Sequence, residues 1–209
     1  LPPPSKRRRI FLLSPANASG ERARLLLRER ANFDLAVTLR KEGAALGEVF
    51  SFISGLYFRG KLAYAQAFAA APDGIPGSFV IAAGRGLVPP ETRVTLDELR
   101  RIADVPVDAA EPRYREPLER DARTLAELAG TDCDLILLGS IATAKYLDPL
   151  VKIFGERLLF PAEFVGRGDM GRGGLMLRCA RAGTELQYVP AVGATRHGPR
   201  APKLPRIPR

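Results

Sequence analysis

Short apolar runs separated by longer amphipathic stretches organise residues 10–192. Four of the runs, Ile10–Leu13, Ser78–Ala83, Asp134–Leu138 and Arg157–Phe160, are continuous rather than alternating, and each ends in turn-forming residues. Continuous apolar strands are expected where helices cover both faces of a sheet. The pattern therefore predicts a three-layer α/β domain, with a mostly parallel central sheet of four or more strands and helices on both faces. Helices are predicted over Glu21–Leu27, Asp34–Lys41, Leu46–Ala71, Leu96–Ala103, Pro117–Ala129 and Ala142–Phe154. Within the long Leu46–Ala71 stretch, Val49, Phe50, Ile53, Leu56 and Tyr57 recur at three- and four-residue spacing, which marks one buried face. Gly55 and Gly60 argue against a single uninterrupted helix there. Pro149 is expected to kink the last helix or to start a second one. Leu175–Val189 reads in two ways. Alternation of Leu175, Leu177 and Cys179 before the turn Arg181–Thr184 suggests a C-terminal hairpin, whereas the same residues could extend a helix from Met170. The hairpin is the expectation.

The 209 residues, 46% of them hydrophobic, suffice for one domain with a core. No run approaches the roughly eighteen uninterrupted apolar residues of a membrane span. The basic Lys6–Arg9 cluster is followed only by Ile10–Leu13 before Ser14 and Pro15, so no secretory signal is read and the expected compartment is the cytoplasm. The net charge of +9 suggests nucleic acid until it is located. Residues 1–9 hold four basic side chains and residues 193–209 hold five, with no acid in either, which leaves 23 of each sign in residues 10–192. Seven of the eighteen prolines also lie in these two ends. The organisation expected is a neutral domain, 10–192, between two extended basic tails that can contact phosphates without sequence preference. Cys133 and Cys179 sit among apolar neighbours and are expected to be buried free thiols. One histidine, His197 in the C-terminal tail, and two distant cysteines offer no zinc site of familiar spacing and no Ser–His or Cys–His pair inside the domain.

Ligands of open α/β sheets bind beyond the carboxyl ends of the strands. Here those ends are Ser14–Gly20, Ala83–Pro90, Gly139–Thr143 and Phe160–Gly174, all rich in small residues, and two of them carry Gly-Arg-Gly. Glycine amides can form an anion-binding nest, and an arginine between glycines adds a planar fork for phosphate or carboxylate. Gly84, Arg85 and Gly86, with Gly166, Arg167, Gly168 and Arg172, are therefore candidate ligand-binding residues. Residues 166–174 hold five glycines and are expected to form a loop sharing one pocket with Gly84–Gly86. Asp169 in that loop, and Glu163 before it, could act as a general base, a metal ligand or a partner for Arg167 or Arg172. Ser14, Asn17 and Ser140 could orient a ligand or a water, though such residues after strands also cap helices, as Thr143 could. Gly55–Lys61 interleaves aromatic residues with Arg59 and Lys61, a composition that can stack on bases and pair with phosphates. The expectation is that Tyr57 and Phe58 are partly core and both cations solvated.

The succession Ser14–Gly20 after a first strand, then Gly86-Leu87-Val88-Pro89, Gly139-Ser140 and Pro161–Gly174 resembles, distantly, the uracil-DNA glycosylase-like superfamily and its uncharacterised bacterial relatives. The likeness covers roughly residues 10–175 and rests on short motifs. It implies that Asn17 would position an attacking water. Active members carry His-Pro-Ser after the last core strand, where this chain has Phe160-Pro161-Ala162. A donor for developing negative charge would then come from elsewhere, Arg167 or Arg172 being the candidates. The function expected is binding of nucleic acid or a nucleotide-like anion, with hydrolysis of a glycosidic or phosphate-ester bond. The alternatives are a non-enzymatic nucleic-acid-binding accessory protein and an enzyme on a small anionic metabolite.

Overall fold

The computed structural model describes residues 7–205, so residues 1–6 and 206–209 of the two basic ends lie outside the described residues. In chain order the elements are β1 (Arg8–Leu13), α1 (Glu21–Leu27), α2 (Asp34–Lys41), β2 (Ala44–Ala45), α3 (Leu46–Ser54) and α4 (Leu56–Phe68). There follow β3 (Ser78–Ala82), β4 (Gly86–Val88), β5 (Arg93–Val94), α5 (Leu96–Ala103), α6 (Pro112–Ala129) and β6 (Cys133–Leu138). The chain closes with α7 (Ala144–Phe154), β7 (Leu158–Pro161), α8 (Asp169–Ala182) and β8 (Tyr188–Pro190).

The main sheet has the order β4-β3-β1-β6-β7-β8. Its four inner strands run parallel, and each edge is closed by an antiparallel strand, β4 against β3 and β8 against β7. Ile10–Leu13 and Leu135–Leu138 of the two central strands have no exposed surface, as continuous apolar runs require. The chain crosses from β1 to β3 in one direction and from β6 to β7 in the other. Right-handed crossovers put those connections on opposite faces, with α4 and α8 packed together on one and α6 and α7 on the other. The three-layer α/β architecture expected from the sequence is present.

Gly55, at φ +60°, divides the 46–71 stretch into α3 and α4, as expected of a glycine there. Several other local expectations are corrected. Pro112, not Pro117, starts α6, with the Glu111 carboxylate accepting from the Arg113 amide; Pro117 and Pro149 both lie inside unbroken helices. No hairpin forms over 175–189. Residues 169–182 are helical instead, and the helix includes most of the segment expected to be a glycine loop. Its glycines serve packing: a Cβ at Gly173 would lie 2.6 Å from the Leu56 carbonyl oxygen, and one at Gly60 would lie 2.6 Å from the Gly173 carbonyl oxygen. The backbones of α4 and α8 touch where these two glycines cross.

The basic ends are partly tied down. Arg8 and Arg9 belong to β1, Arg7 pairs with Asp134 at 3.2 Å and Arg9 with Glu185 at 3.0 Å. Residues 193–205 form no helix or strand but lie against the start of α8: the Ala201 amide donates to the Gly166 carbonyl, and Arg196 pairs with Asp148 at 2.8 Å. Cys133 is enclosed, Cys179 is partly exposed, and both thiols are free. Burial pushes both up from the usual thiol range. No helix among the described residues is long and apolar enough to cross a membrane.

Candidate functional site

A cavity of about 720 Å³ opens beyond the carboxyl ends of β1, β3 and β6, where the parallel strands deliver their loops. Ser14, Asn17 and Ser140 line it from the loops, Tyr57 from α4, Tyr146 from α7, and Asp169 from the first turn of α8. Thr143 and Lys145, at the N-terminus of α7, complete this side. Thr143 is the N-cap of that helix yet makes no side-chain capping bond. The first-turn amides of α7 have no partner within the helix, and they carry its positive dipole end to the cavity wall.

Behind the wall lies Lys61, which is fully buried rather than solvated. The regular spacing of Tyr57, Lys61, Tyr64, Ala65 and Phe68 places it on the inward stripe of α4. Its Nζ donates to the Ser14 carbonyl at 2.6 Å and to Ser14 Oγ at 2.9 Å, and lies 4.4 Å from the centre of the Tyr57 ring and 4.8 Å from that of Phe58. Loss of hydration lowers the Lys61 pKa to about 7; Asp169 works against that shift and Arg172 with it. Tyr146 donates its hydroxyl to the Ser140 carbonyl at 2.9 Å, and burial pushes its pKa up. The Tyr57 hydroxyl is enclosed by protein; burial raises its pKa well above the usual range, and the Arg172 guanidinium works against that shift.

The other expected residues distribute unevenly. Arg172 is 8% exposed and turns inward: Nε and Nη2 donate to the Phe164 carbonyl and Nη1 pairs with Asp169 at 3.2 Å. It acts on the cavity through its field, the guanidinium being fixed before any ligand arrives. Arg85 faces away and pairs with Glu98 at 2.7 Å, so Ala83 lines the cavity while Arg85 does not. Gly84 and Gly86, at φ +74° and +81°, form the β3–β4 turn; a Cβ at Gly86 would lie 2.0 Å from the Asp121 carboxylate. Arg167 crosses Gly171 to reach the Glu163 and Pro202 carbonyls. Gly166 accommodates the C-terminal segment and Gly168 is the N-cap of α8. One Glu163 carboxylate oxygen is buried without a partner, away from the cavity. The two Gly-Arg-Gly turns thus do not converge on one ligand.

Asn17 lines the cavity, but its Oδ1 already accepts from the Ser19 amide at 3.3 Å and the Ser19 hydroxyl at 2.9 Å. Both acceptor positions are occupied in closing the loop. Phe160, which the resemblance sets opposite the glycosylase histidine, is 1% exposed in the core. Tyr57 is in the core as expected, whereas Lys61, expected to be solvated, is fully buried; Tyr146, read only as part of an apolar stripe, is the lining residue that sequence reasoning missed. Comparison with protein-family models, curated proteins and solved structures finds no significant match to this chain.

Proposed function

We propose that this protein binds a nucleotide, free or within a nucleic acid, in the cavity at the carboxyl ends of β1, β3 and β6, and hydrolyses a glycosidic or phosphate-ester bond there. The observation that carries the reading is the cavity itself at the carboxyl ends of the parallel strands, walled by Ser14, Ser140, Tyr57 and the N-terminus of α7, with Lys61 and the Arg172 guanidinium behind it. Arg172 is paired with Asp169, so the positive charge left behind the wall is that of Lys61, about half protonated near pH 7. The first turn of α7 adds amides suited to phosphate oxygens. The volume suits a small organic ligand rather than a bare ion. Of the segments on which the glycosylase resemblance rests, Ser14–Gly20 and Gly139–Ser140 contribute to the cavity wall, whereas 86–88 is an edge strand and 169–174 is helical; the first two support a nucleotide-like substrate. They do not supply that family's histidine donor, because Phe160 occupies the position. The accessory-protein alternative rests on free basic arms, and Arg7, Arg9 and Arg196 are engaged with acids of the domain.

The test is to incubate the full-length protein with the common nucleoside mono- and triphosphates and with single- and double-stranded DNA and RNA, and to separate the products chromatographically. Release of free base identifies glycosidic cleavage; release of phosphate or of a shortened strand identifies ester cleavage. If none of these substrates is cleaved and none raises the melting temperature, the reading fails.

A further inference from the structure

Resting on the nucleotide-hydrolase reading, the geometry points to a covalent route that chooses between its two reactions: Ser14 is the nucleophile and Lys61 its general base, acting on a phosphate ester. Ser14 is 4% exposed, lines the cavity, and holds Oγ 2.9 Å from Lys61 Nζ, within reach of direct proton transfer. The serine is fixed on both sides. Its carbonyl accepts from the same Nζ at 2.6 Å, and Tyr146, anchored on the Ser140 carbonyl, stands beside it across Gly139. Gly139 leaves room for the cluster, since a Cβ there would lie 2.8 Å from Ser14 Cβ and 3.1 Å from both Ser14 Oγ and the Tyr146 hydroxyl.

A lysine can serve as a base only when neutral, and loss of hydration brings Lys61 to about 7, so a substantial share is neutral at pH 7 and most of it above that, the two ring faces working the other way. The groups facing Nζ are Asp169 and Arg172 on α8, Tyr57 on its own helix, Ser14 after β1, and the Tyr146 phenol that stands beside Ser14 from α7. As Ser14 Oγ attacks phosphorus, its proton passes to Nζ, the Oγ–P bond forms and the bond to the leaving alkoxide breaks. The alkoxide takes the proton from the Lys61 ammonium. Water then attacks the phosphoseryl ester and gives its proton to Nζ, and the Oγ–P bond breaks as Oγ recovers a proton from the ammonium. The sum is one water consumed and one ester bond hydrolysed.

The experiment treats the full-length protein with an alkyl fluorophosphonate and maps the adduct by peptide mass spectrometry, beside calorimetry with nucleoside monophosphates. Labelling at Ser14 is expected, with a rate that rises through a midpoint near pH 7 and falls about 100-fold or more in Lys61→Met. A purely structural Lys61 would change the melting temperature and leave Ser14 unlabelled in the wild type, which overturns the proposal. Equal labelling in folded Lys61→Met would overturn the role of Lys61. If Lys61→Met does not fold, Ser14→Cys is alkylated with iodoacetamide: a rate still high below pH 8 supports the pair, and an ordinary thiol profile overturns it. Nucleotide binding without Ser14 labelling defeats the covalent route and leaves the binding reading standing. Ser14 labelling without nucleotide binding supports the pair and defeats the nucleotide reading.

Discussion

Lys61 carries an amine into a place no solvent reaches, with two hydrogen bonds to Ser14 and two aromatic rings to compensate. A depressed folded pKa means that the unfolded chain binds the extra proton between about pH 7 and the ordinary lysine value. Stability contributed by this site therefore rises as pH increases from 7 towards 10. In urea unfolding, the wild type should gain stability between pH 7 and 9, and Lys61→Met should lose most of that gain; parallel pH profiles would contradict the burial account. The residue was legible in principle, because Tyr57, Lys61, Tyr64 and Phe68 share one face of a helix. A lysine on an apolar stripe is usually taken as a solvated exception, since long side chains can snorkel. Here the stem leads inward to Ser14, and only the tertiary position of β1 shows why. Asn17, Ser14, Ser140 and Asp169 were legible for a different reason: polar residues at strand ends face the sheet's carboxyl edge whatever their partners.

At the scale of elements, the glycines of residues 166–174 have the composition of a loop and the structure of a helix crossing. Backbone freedom and close approach both favour glycine, and sequence alone does not say which is in use. The distinction is measurable. Gly173→Ala forces a methyl against the Leu56 carbonyl and Tyr57 Cα, at 2.6 Å and 2.8 Å, and should cost about 1–3 kcal/mol. Gly174→Ala places its methyl 3.4 Å from Leu204 and should be neutral or stabilising by up to about 1 kcal/mol through helix propensity. Chemical denaturation of both variants checks the pair, and equal effects would argue against the crossing. The inner strands were readable because each is a continuous apolar run. The edge strands β4 and β8 have three residues each, too few to show a period, and their place comes from pairing with β3 and β7.

Across the whole molecule, charge and site are separate. The excess of basic residues lies at the chain ends, whereas the cavity draws its field from Lys61 and Arg172 against Asp169. Arg200 and Lys203 are exposed on the C-terminal segment. Replacing both by glutamine should flatten the salt dependence of duplex DNA binding by up to about 0.9 for each phosphate no longer neutralised, and should leave mononucleotide binding unchanged. Failure of that variant to bind mononucleotide would mean that the cavity and the tail are not independent. That the cavity is the ligand site is tested most directly by a crystal structure of the full-length protein soaked with a nucleoside 5′-monophosphate. It should show the phosphate at the first turn of α7, beside Ser14 and Thr143, with the nucleoside between the Ser14–Asn17 loop and Asp169. A nucleotide seated on residues 193–205, or a cavity holding only water at saturating nucleotide, would contradict it.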